Sequence, residues 1–130
     1  MIVVDTQVIL FDALEPRRLS RRARNLLADA EESGSLACSD ISLWEIAMLI
    51  AKGRISGGPD AAAFIETATQ TRSMQVLPIT AQIAVLAQSD DFKHGDPADR
   101  VIAATAIAHR ASLLSADARL RKLRSVKVLW

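Results

Sequence analysis

Short apolar runs alternate along the chain with longer stretches in which apolar residues recur at helical spacing. The runs are rich in β-branched residues and leucine and carry few polar interruptions, which is typical of strands buried on both faces of a parallel sheet. They lie at residues Ile2–Val4, Met74–Leu77, Ser112–Leu114 and Val126–Leu129, with a less apolar fifth at Ser35–Cys38. The pattern therefore predicts about five short strands.

Helices are predicted between these strands. Apolar residues recur every three or four positions from Leu19 to Ala30, and the segment 41–51 is apolar on nearly every side. Further helices are predicted at 59–71, 80–89, 96–110 and 115–123, with Thr80, Asp96 and Ser115 as N-caps. Strands that alternate with helices form βαβ crossovers. We therefore expect one domain over residues 1–130, a three-layer α/β/α sandwich with a mostly parallel central sheet.

Composition narrows the class of protein. The 130 residues are 50% hydrophobic, enough for a single domain with its own core. With 16 Lys and Arg against 15 Asp and Glu, the formal net charge of +1 excludes binding to nucleic acid or membrane by bulk charge alone. A single cysteine, Cys38, excludes a disulfide framework and a cysteine-based zinc site. The chain has neither an apolar span of ~20 residues nor a basic segment before residues 2–4, so we expect a soluble, cytoplasmic protein.

Four carboxylates occupy positions that suggest a common site. Asp5 ends the first strand, Asp117 follows the strand at 112–114, Asp99 lies in the first turn of a helix, and Glu45 lies on the apolar helix after the second strand. Because the carboxyl ends of parallel strands meet at one edge of a sheet, all four could converge on one crevice. Clustered carboxylates stay ionised only beside a cation, and oxygen ligands favour Mg²⁺ or Mn²⁺.

Each acid also has a purely structural explanation. Asp5 could cap a helix that begins near the next residue, and Asp99 and Asp117 could be first-turn residues that favour the helix dipole. Glu45 has apolar neighbours on every side and could form an internal ion pair with an arginine from elsewhere in the chain. Its neighbour Trp44 is predicted to be a core residue.

Four segments, in this order, resemble the PIN domains and, more closely, the VapC-type toxins of bacterial and archaeal toxin–antitoxin pairs. They are Ile2–Thr6, Ile41–Ala47 with Lys52–Ile55 after it, Asp96–Ala106, and Leu113–Asp117. The resemblance covers essentially the whole chain. It implies a parallel sheet of about five strands between helices, and a divalent-metal-dependent endoribonuclease that cleaves structured or translation-linked RNA, often a tRNA. It also implies a homodimer formed through helices of the 41–71 region, and an antitoxin partner that covers the active site with a short segment.

The same resemblance implies roles for individual residues. The family's four acidic positions match Asp5, Glu45, Asp99 and Asp117. Asp5 and Asp99 would bind the principal Mg²⁺, for which Mn²⁺ would substitute, and Glu45 and Asp117 would hold a second ion or ordered waters. Thr6 matches the hydroxyl residue that follows the first acid, and Asp96 is either a ligand or a supporting residue. A water activated by the metal would then hydrolyse the phosphodiester bond.

Basic residues that could contact RNA phosphates are concentrated in the run Arg17–Arg24, which holds five arginines in eight residues. On one continuous helix Arg17, Arg21 and Arg24 would share a stripe, which could be an RNA-backbone track, a surface for an acidic antitoxin segment, or a solvated face. Other candidate phosphate contacts are Arg54, Arg100, Lys52 and Lys93, with His94 near the site as a further possibility. An aromatic content of 4% argues against base stacking as the main means of recognition.

Two other functions compete with a ribonuclease. A receiver-like signalling domain also binds Mg²⁺ at the edge of a parallel sheet, but it needs a pair of acids after the first strand and a lysine after the fifth. This chain has only Asp5 after its first strand, and Lys127 lies within a predicted strand. The second alternative is a PIN-like binding module without catalysis, against which the presence of all four acids argues.

Overall fold

The computed structural model describes residues 1–92 and 95–130. Lys93 and His94, both named above as candidate phosphate contacts, lie outside the described residues. The central sheet has five strands, all parallel, in the order β3-β2-β1-β4-β5. The strands are β1 (Ile2–Val4), β2 (Leu36–Ser39), β3 (Gln75–Leu77), β4 (Ser112–Leu114) and β5 (Val128–Leu129). The predicted α/β sandwich with a parallel sheet is therefore confirmed.

Helices connect the strands, close to the positions that the periodicity predicts. They are α1 (Thr6–Leu14), α2 (Arg21–Glu32), α3 (Ile41–Ala51), α4 (Ala61–Gln70), α5 (Ala81–Leu86), α6 (Pro97–Ala108) and α7 (Ala118–Arg121). Short 3-10 turns lie at Pro16–Arg18 and Asp90–Phe92. The last helix begins later than predicted, because Asp117 and not Ser115 caps it.

The hydrophobic core lies on both faces of the sheet. On β1, Val4 packs with residues of α1 and α2, whereas its neighbour Val3 packs with Ile102 of α6 on the other face. Both valines are fully buried, and such burial contributes about 1.5–3 kcal/mol per aliphatic side chain. Val4 is paired with β2 on one side and with β4 on the other. The residue after β1 therefore lies at the middle of the sheet's carboxyl edge.

Four helices end in the same way, with a residue in the left-handed conformation. Those residues are Gly34 (φ +67°), Gly53 (φ +69°), Ser73 (φ +50°) and Arg110 (φ +52°). After α6, for example, the Arg110 N–H donates to the Ile107 carbonyl at 3.0 Å and the Ala111 N–H donates to the Ala106 carbonyl at 2.8 Å. This pattern is a Schellman cap, which satisfies the last carbonyls of a helix and reverses the chain.

The prediction that Trp44 is a core residue is wrong, since 60% of its surface is exposed. Helix α3 buries Ser42 and Ile46, and Trp44 lies on the opposite side of the helix. Other large apolar side chains are also exposed at Val76 of β3, at Ile79 and at Val85 of α5. Of the helices in the described part of the chain, none has the length and apolar character needed to cross a membrane.

Candidate active site

A cleft of about 620 Å³ opens at the carboxyl edge of the sheet. All six residues that the sequence predicts for the catalytic centre line this cleft, and they are Asp5, Thr6, Glu45, Asp96, Asp99 and Asp117. The cleft wall also contains the side chains of Phe11, Met48 and Leu49. The convergence follows from the fold, because the strand ends and the first turns of the helices that follow them meet at one edge of a parallel sheet.

Asp5 is the most buried of the acids, with 4% of its surface exposed. It is the N-cap of α1, where its Oδ1 accepts a hydrogen bond from the Val8 N–H at 2.9 Å. Its Oδ2 accepts a hydrogen bond from the Ser115 hydroxyl. Asp5 is therefore both the helix cap of the structural explanation and a member of the cleft.

Ser115 is a functional candidate that the sequence reasoning missed. It follows β4 and is fully buried. Its hydroxyl donates to Asp5 and accepts a hydrogen bond from the Asp117 N–H at 3.0 Å, so it connects two of the acids. The sequence offers only a serine directly after a buried strand, and the pairing of β4 with β1 is what places this serine at the same edge as Asp5.

Glu45 is held by a hydrogen bond from the Thr6 hydroxyl rather than by an ion pair. The same Thr6 hydroxyl lies 2.9 Å from the hydroxyl of Ser42, which is buried on α3. No Lys or Arg within the described residues forms a salt bridge with Glu45. The structural explanation for Glu45, an internal ion pair, is therefore not what the described residues show.

The remaining acids lie at the first turns of two helices. Asp96 is the N-cap of α6 and accepts a hydrogen bond from the Ala98 N–H at 2.9 Å, and Asp99 lies in the same turn. Asp117 caps α7, where its Oδ1 accepts from the Arg119 N–H at 2.7 Å and its Oδ2 lies 3.3 Å from the Arg119 guanidinium. Asp99 makes no comparable hydrogen bond within the described residues.

The proximity of the acids changes their protonation. Burial raises the pKa of Asp5 to about 6, and the charges of Asp99 and Asp117 contribute. Burial also raises the pKa of Asp99 to about 6, with help from the neighbouring carboxylates, and it raises the pKa of Glu45. For Asp117, burial alone would raise the pKa, but the hydrogen bonds from Arg119 outweigh it and the net shift is downward. Three acids therefore hold their charge at a cost that a cation would remove.

The donor set fits a hydrated divalent cation better than a tightly ligated one. Within residues 1–92 and 95–130, no three His, Cys, Asp or Glu side chains are close enough to hold one ion by themselves. Mg²⁺ keeps several of its waters and needs only one or two direct carboxylate ligands. A wide cleft lined by oxygen donors of raised pKa supplies those ligands and leaves room for the waters.

Three arginines also line the cleft: Arg18, Arg54 and Arg119. Arg54 was predicted individually as a phosphate contact, and Arg18 belongs to the basic run Arg17–Arg24. Arg119 is paired with Asp117, whereas the Arg18 guanidinium lies 4.3 Å from the centre of the Phe11 ring.

The predicted stripe of Arg17, Arg21 and Arg24 does not form. Ser20 caps α2, its hydroxyl accepting from the Ala23 N–H at 2.9 Å, so the helix begins at Arg21. Arg17 lies in the preceding 3-10 turn, and none of the three residues lines the cleft. Arg100 lines a neighbouring cavity of about 150 Å³ instead.

A parallel α/β sandwich with an acidic cleft at the carboxyl edge of its sheet is the architecture of a PIN-type protein. The PIN-domain family profile matches residues 2–126, and the chain therefore belongs to the PIN-domain family. It is similar to ribonuclease VapC22 of Mycobacterium tuberculosis (strain ATCC 25618 / H37Rv), with 36% identity over 124 residues that cover 95% of this chain and 92% of the relative. The receiver-like alternative is thus excluded.

Solved structures show the same fold at low sequence identity. The structure of VapBC2 from Rickettsia felis, bound to a DNA fragment from its promoter, matches with a TM-score of 0.76 and 14% identity, over 99% of this chain and 98% of that chain. A toxin–antitoxin complex from Klebsiella pneumoniae matches with a TM-score of 0.64 and 19% identity, over 100% and 97% of the two chains.

Proposed function

We propose that this protein is the Mg²⁺-dependent endoribonuclease toxin of a toxin–antitoxin pair. The observation that supports the proposal most is the convergence of Asp5, Glu45, Asp99 and Asp117 on one cleft, in a chain homologous to a VapC ribonuclease. The proposed substrate is RNA, and a tRNA or another translation-linked RNA is the class that the family resemblance implies. Mn²⁺ is expected to substitute for Mg²⁺, because it prefers the same oxygen ligands.

The acids would have different roles in binding the metal. Asp5 and Asp99 would bind the principal ion, and Glu45 and Asp117 would hold a second ion or ordered waters, with Asp96 in support. When bound, Mg²⁺ supplies a Lewis acid that lowers the pKa of water and offsets the charge that develops on the phosphate.

The surrounding residues of this chain fix the directions of the acids. The Val8 N–H and the Ser115 hydroxyl each bind one oxygen of Asp5, so its carboxylate cannot rotate freely. Thr6 holds Glu45 in the same way. Ligands held in place before the substrate arrives lose little entropy when the reaction geometry forms, which is the protein's main contribution to a metal-assisted hydrolysis.

The proposed partners are an antitoxin and a second copy of the chain. The similar complex from Klebsiella pneumoniae is a toxin–antitoxin complex, and this supports a cognate antitoxin here. Large exposed apolar side chains on α3, β3 and α5 support a homodimer, since an interface would remove them from water. We expect the protein to act in the cytoplasm, where its RNA substrates lie.

The decisive experiment compares the purified protein with its Asp99→Asn variant on total cellular RNA. With Mg²⁺ or Mn²⁺ present, we expect discrete cleavage products from the wild type and at least a 100-fold lower rate from the variant. EDTA should abolish the wild-type activity, and excess Mg²⁺ should restore it. Asp99 suits this test better than Asp5, because Asp5 also caps α1 and its replacement would weaken the fold.

The alternative of a PIN-like binding module without catalysis predicts a different result. Wild-type protein that leaves total RNA intact during long incubation with either metal, while remaining folded, would contradict the nuclease and favour the binding module.

A further inference from the structure

We propose that Arg18 and Arg54 form a phosphate-binding track at one end of the cleft, which holds the RNA strand beside the scissile phosphate. This inference rests on the proposed ribonuclease function and deepens it, because it names residues that position the substrate and take no part in the chemistry. Both arginines line the same cleft as the four acids.

The cleft has an acidic end and a basic end. Thr6 and Glu45, which are hydrogen-bonded to each other, lie in the N-terminal halves of α1 and α3, beside the sheet edge. Arg18 and Arg54 follow the C-terminal ends of the same two helices. The nine residues of α1 span roughly 13 Å at 1.5 Å per residue. A strand with its scissile phosphate at the acids would therefore bring another phosphate of the same strand to the arginines.

Arg18 is held in place by an aromatic stack. Its guanidinium lies 4.3 Å from the centre of the Phe11 ring, and that ring packs against Trp130 with 6.5 Å between the two centroids. The next residue, Leu19, is buried and anchors the turn in the core. The nearest carboxylate is Glu15 at 3.8 Å, an exposed ion pair that contributes little. The stack thus holds the guanidinium over the Phe11 ring at the cleft wall, and a guanidinium is a charged donor suited to a phosphate.

Arg54 is placed by the end of α3. Gly53 adopts a left-handed conformation (φ +69°), its N–H donates to the Ile50 carbonyl at 3.0 Å, and the Arg54 N–H donates to the Leu49 carbonyl at 2.9 Å. This Schellman cap turns the chain so that Arg54 reaches the cleft wall. Within the described residues Arg54 forms no salt bridge, so its guanidinium is available to a phosphate, which its planar fork binds in two-pronged fashion.

The other arginines near the cleft are less suited to this role. Arg119 is paired with Asp117, one of the acids, and is thereby engaged at the acidic end. Arg17 belongs to the same 3-10 turn as Arg18 and is exposed, but it does not line the cleft. Arg17 is therefore a matched control, since its replacement removes the same charge one residue away.

The test measures RNA binding and cleavage separately. In the Asp99→Asn background, the affinity for a fluorescein-labelled 12-nucleotide RNA of random sequence is measured by fluorescence anisotropy over a range of salt concentrations. We expect Arg18→Ala and Arg54→Ala each to weaken binding by about fivefold and to reduce the salt slope by about 0.7, the value for one phosphate contact on a single strand. Arg17→Ala should change neither quantity. Melting temperatures of all variants serve to confirm that they are folded.

In the otherwise wild-type enzyme, Arg18→Ala and Arg54→Ala should raise KM for the same RNA and leave kcat within about twofold. Arg18→Lys should restore part of the affinity, because it keeps the charge and loses the planar stack on Phe11. Equal affinity, salt slope and KM for Arg18→Ala and Arg17→Ala would overturn the track. RNA that binds to none of these proteins would overturn it too. Cleavage by the wild type but not by Asp99→Asn would uphold the nuclease in either case.

Discussion

At the scale of single residues, Asp5 shows why a structural and a functional explanation need not exclude each other. As the N-cap of α1 it satisfies a backbone N–H, and the same geometry directs its carboxylate along the cleft floor. The position could be predicted from the sequence, because an acid directly after a buried strand faces the carboxyl edge of the sheet. Its partner Ser115 could not be singled out, since a serine after a strand is common and only the pairing of β1 with β4 brings the two together.

The raised pKa of Asp99 makes a prediction about stability. The folded protein binds a proton at Asp99 with a pKa of about 6, against the ordinary 3.8. The contribution of this group to stability is therefore full below about pH 3.8 and is lost as the pH rises through about 6. In metal-free buffer at pH 8, Asp99→Asn should be more stable than the wild type by roughly 1 kcal/mol, a value reduced for solvent screening. The advantage should shrink towards zero near pH 4.

Urea unfolding in EDTA at pH 5 and pH 8 checks this prediction. Glu66→Gln, an exposed substitution on α4 away from the cleft, removes the same charge and is the matched control. A variant at residue 99 that is less stable than the wild type at pH 8 would show that the cost of burying the charged carboxylate is not the dominant effect. With that result, Asp99→Asn would abolish cleavage without stabilising the fold.

At the scale of secondary-structure elements, the sequence predicts which elements form more accurately than it predicts where each helix begins. The strands and α3 follow from apolar runs, and they were found within a few residues. The prediction of an arginine stripe was wrong because it assumed one helix through residues 17–24. Pro16 begins a separate 3-10 turn and Ser20 caps the start of α2. The prediction that Trp44 is a core residue was wrong for another reason. A helix that is apolar on nearly every side carries no periodic signal for which side faces the core.

The Schellman caps give a prediction at this scale. Arg110 ends α6 with a positive φ of +52°, a conformation that costs an ordinary residue about 1 kcal/mol and glycine very little. Because its side chain is exposed, Arg110→Gly removes the strain with little loss of packing, and we expect the free energy of unfolding to rise by about 0.5–1 kcal/mol. Thermal and urea unfolding measure the change.

Gly34→Ala is the complementary control. Gly34 has φ +67° and open space around the position of an added Cβ, so alanine there would bring backbone strain without a clash. Its unfolding free energy should fall by about 1 kcal/mol. A rise in the free energy of unfolding for Arg110→Gly and a fall for Gly34→Ala would support the strain argument. Changes in the same direction for both variants would contradict it.

At the scale of the whole molecule, Asp40 joins two elements that carry exposed apolar side chains. The Asp40 N–H donates to the Leu77 carbonyl at 2.9 Å, and its carboxylate accepts from the Ile79 N–H at 3.3 Å, which joins the start of α3 to the end of β3. Trp44 follows one turn later on α3. The exposed Trp44, Val76 and Ile79 therefore lie on elements that this junction links, and we expect them to contribute to one homodimer interface.

Trp44→Glu should therefore convert a dimer into a monomer. The substitution places a charge in the proposed interface, while the exposed position of Trp44 means that the fold of each monomer should survive. Analytical ultracentrifugation over a range of concentrations measures the shift in mass. Trp130→Phe, at the other edge of the sheet, keeps an aromatic ring against Phe11 and should leave the mass unchanged. A wild-type protein that stays monomeric at high concentration would contradict the homodimer.

The bond between Ser115 and Asp5 joins residues that are 110 positions apart in the chain, and this separation has a consequence for the order of synthesis. A nascent chain carries Asp5 long before it carries Ser115 and Asp117, which are translated only after β4. Until then, the first strand lacks one of its two neighbours in the sheet. A growing polypeptide on the ribosome thus cannot assemble the four acids until β4 and Asp117 have been synthesised.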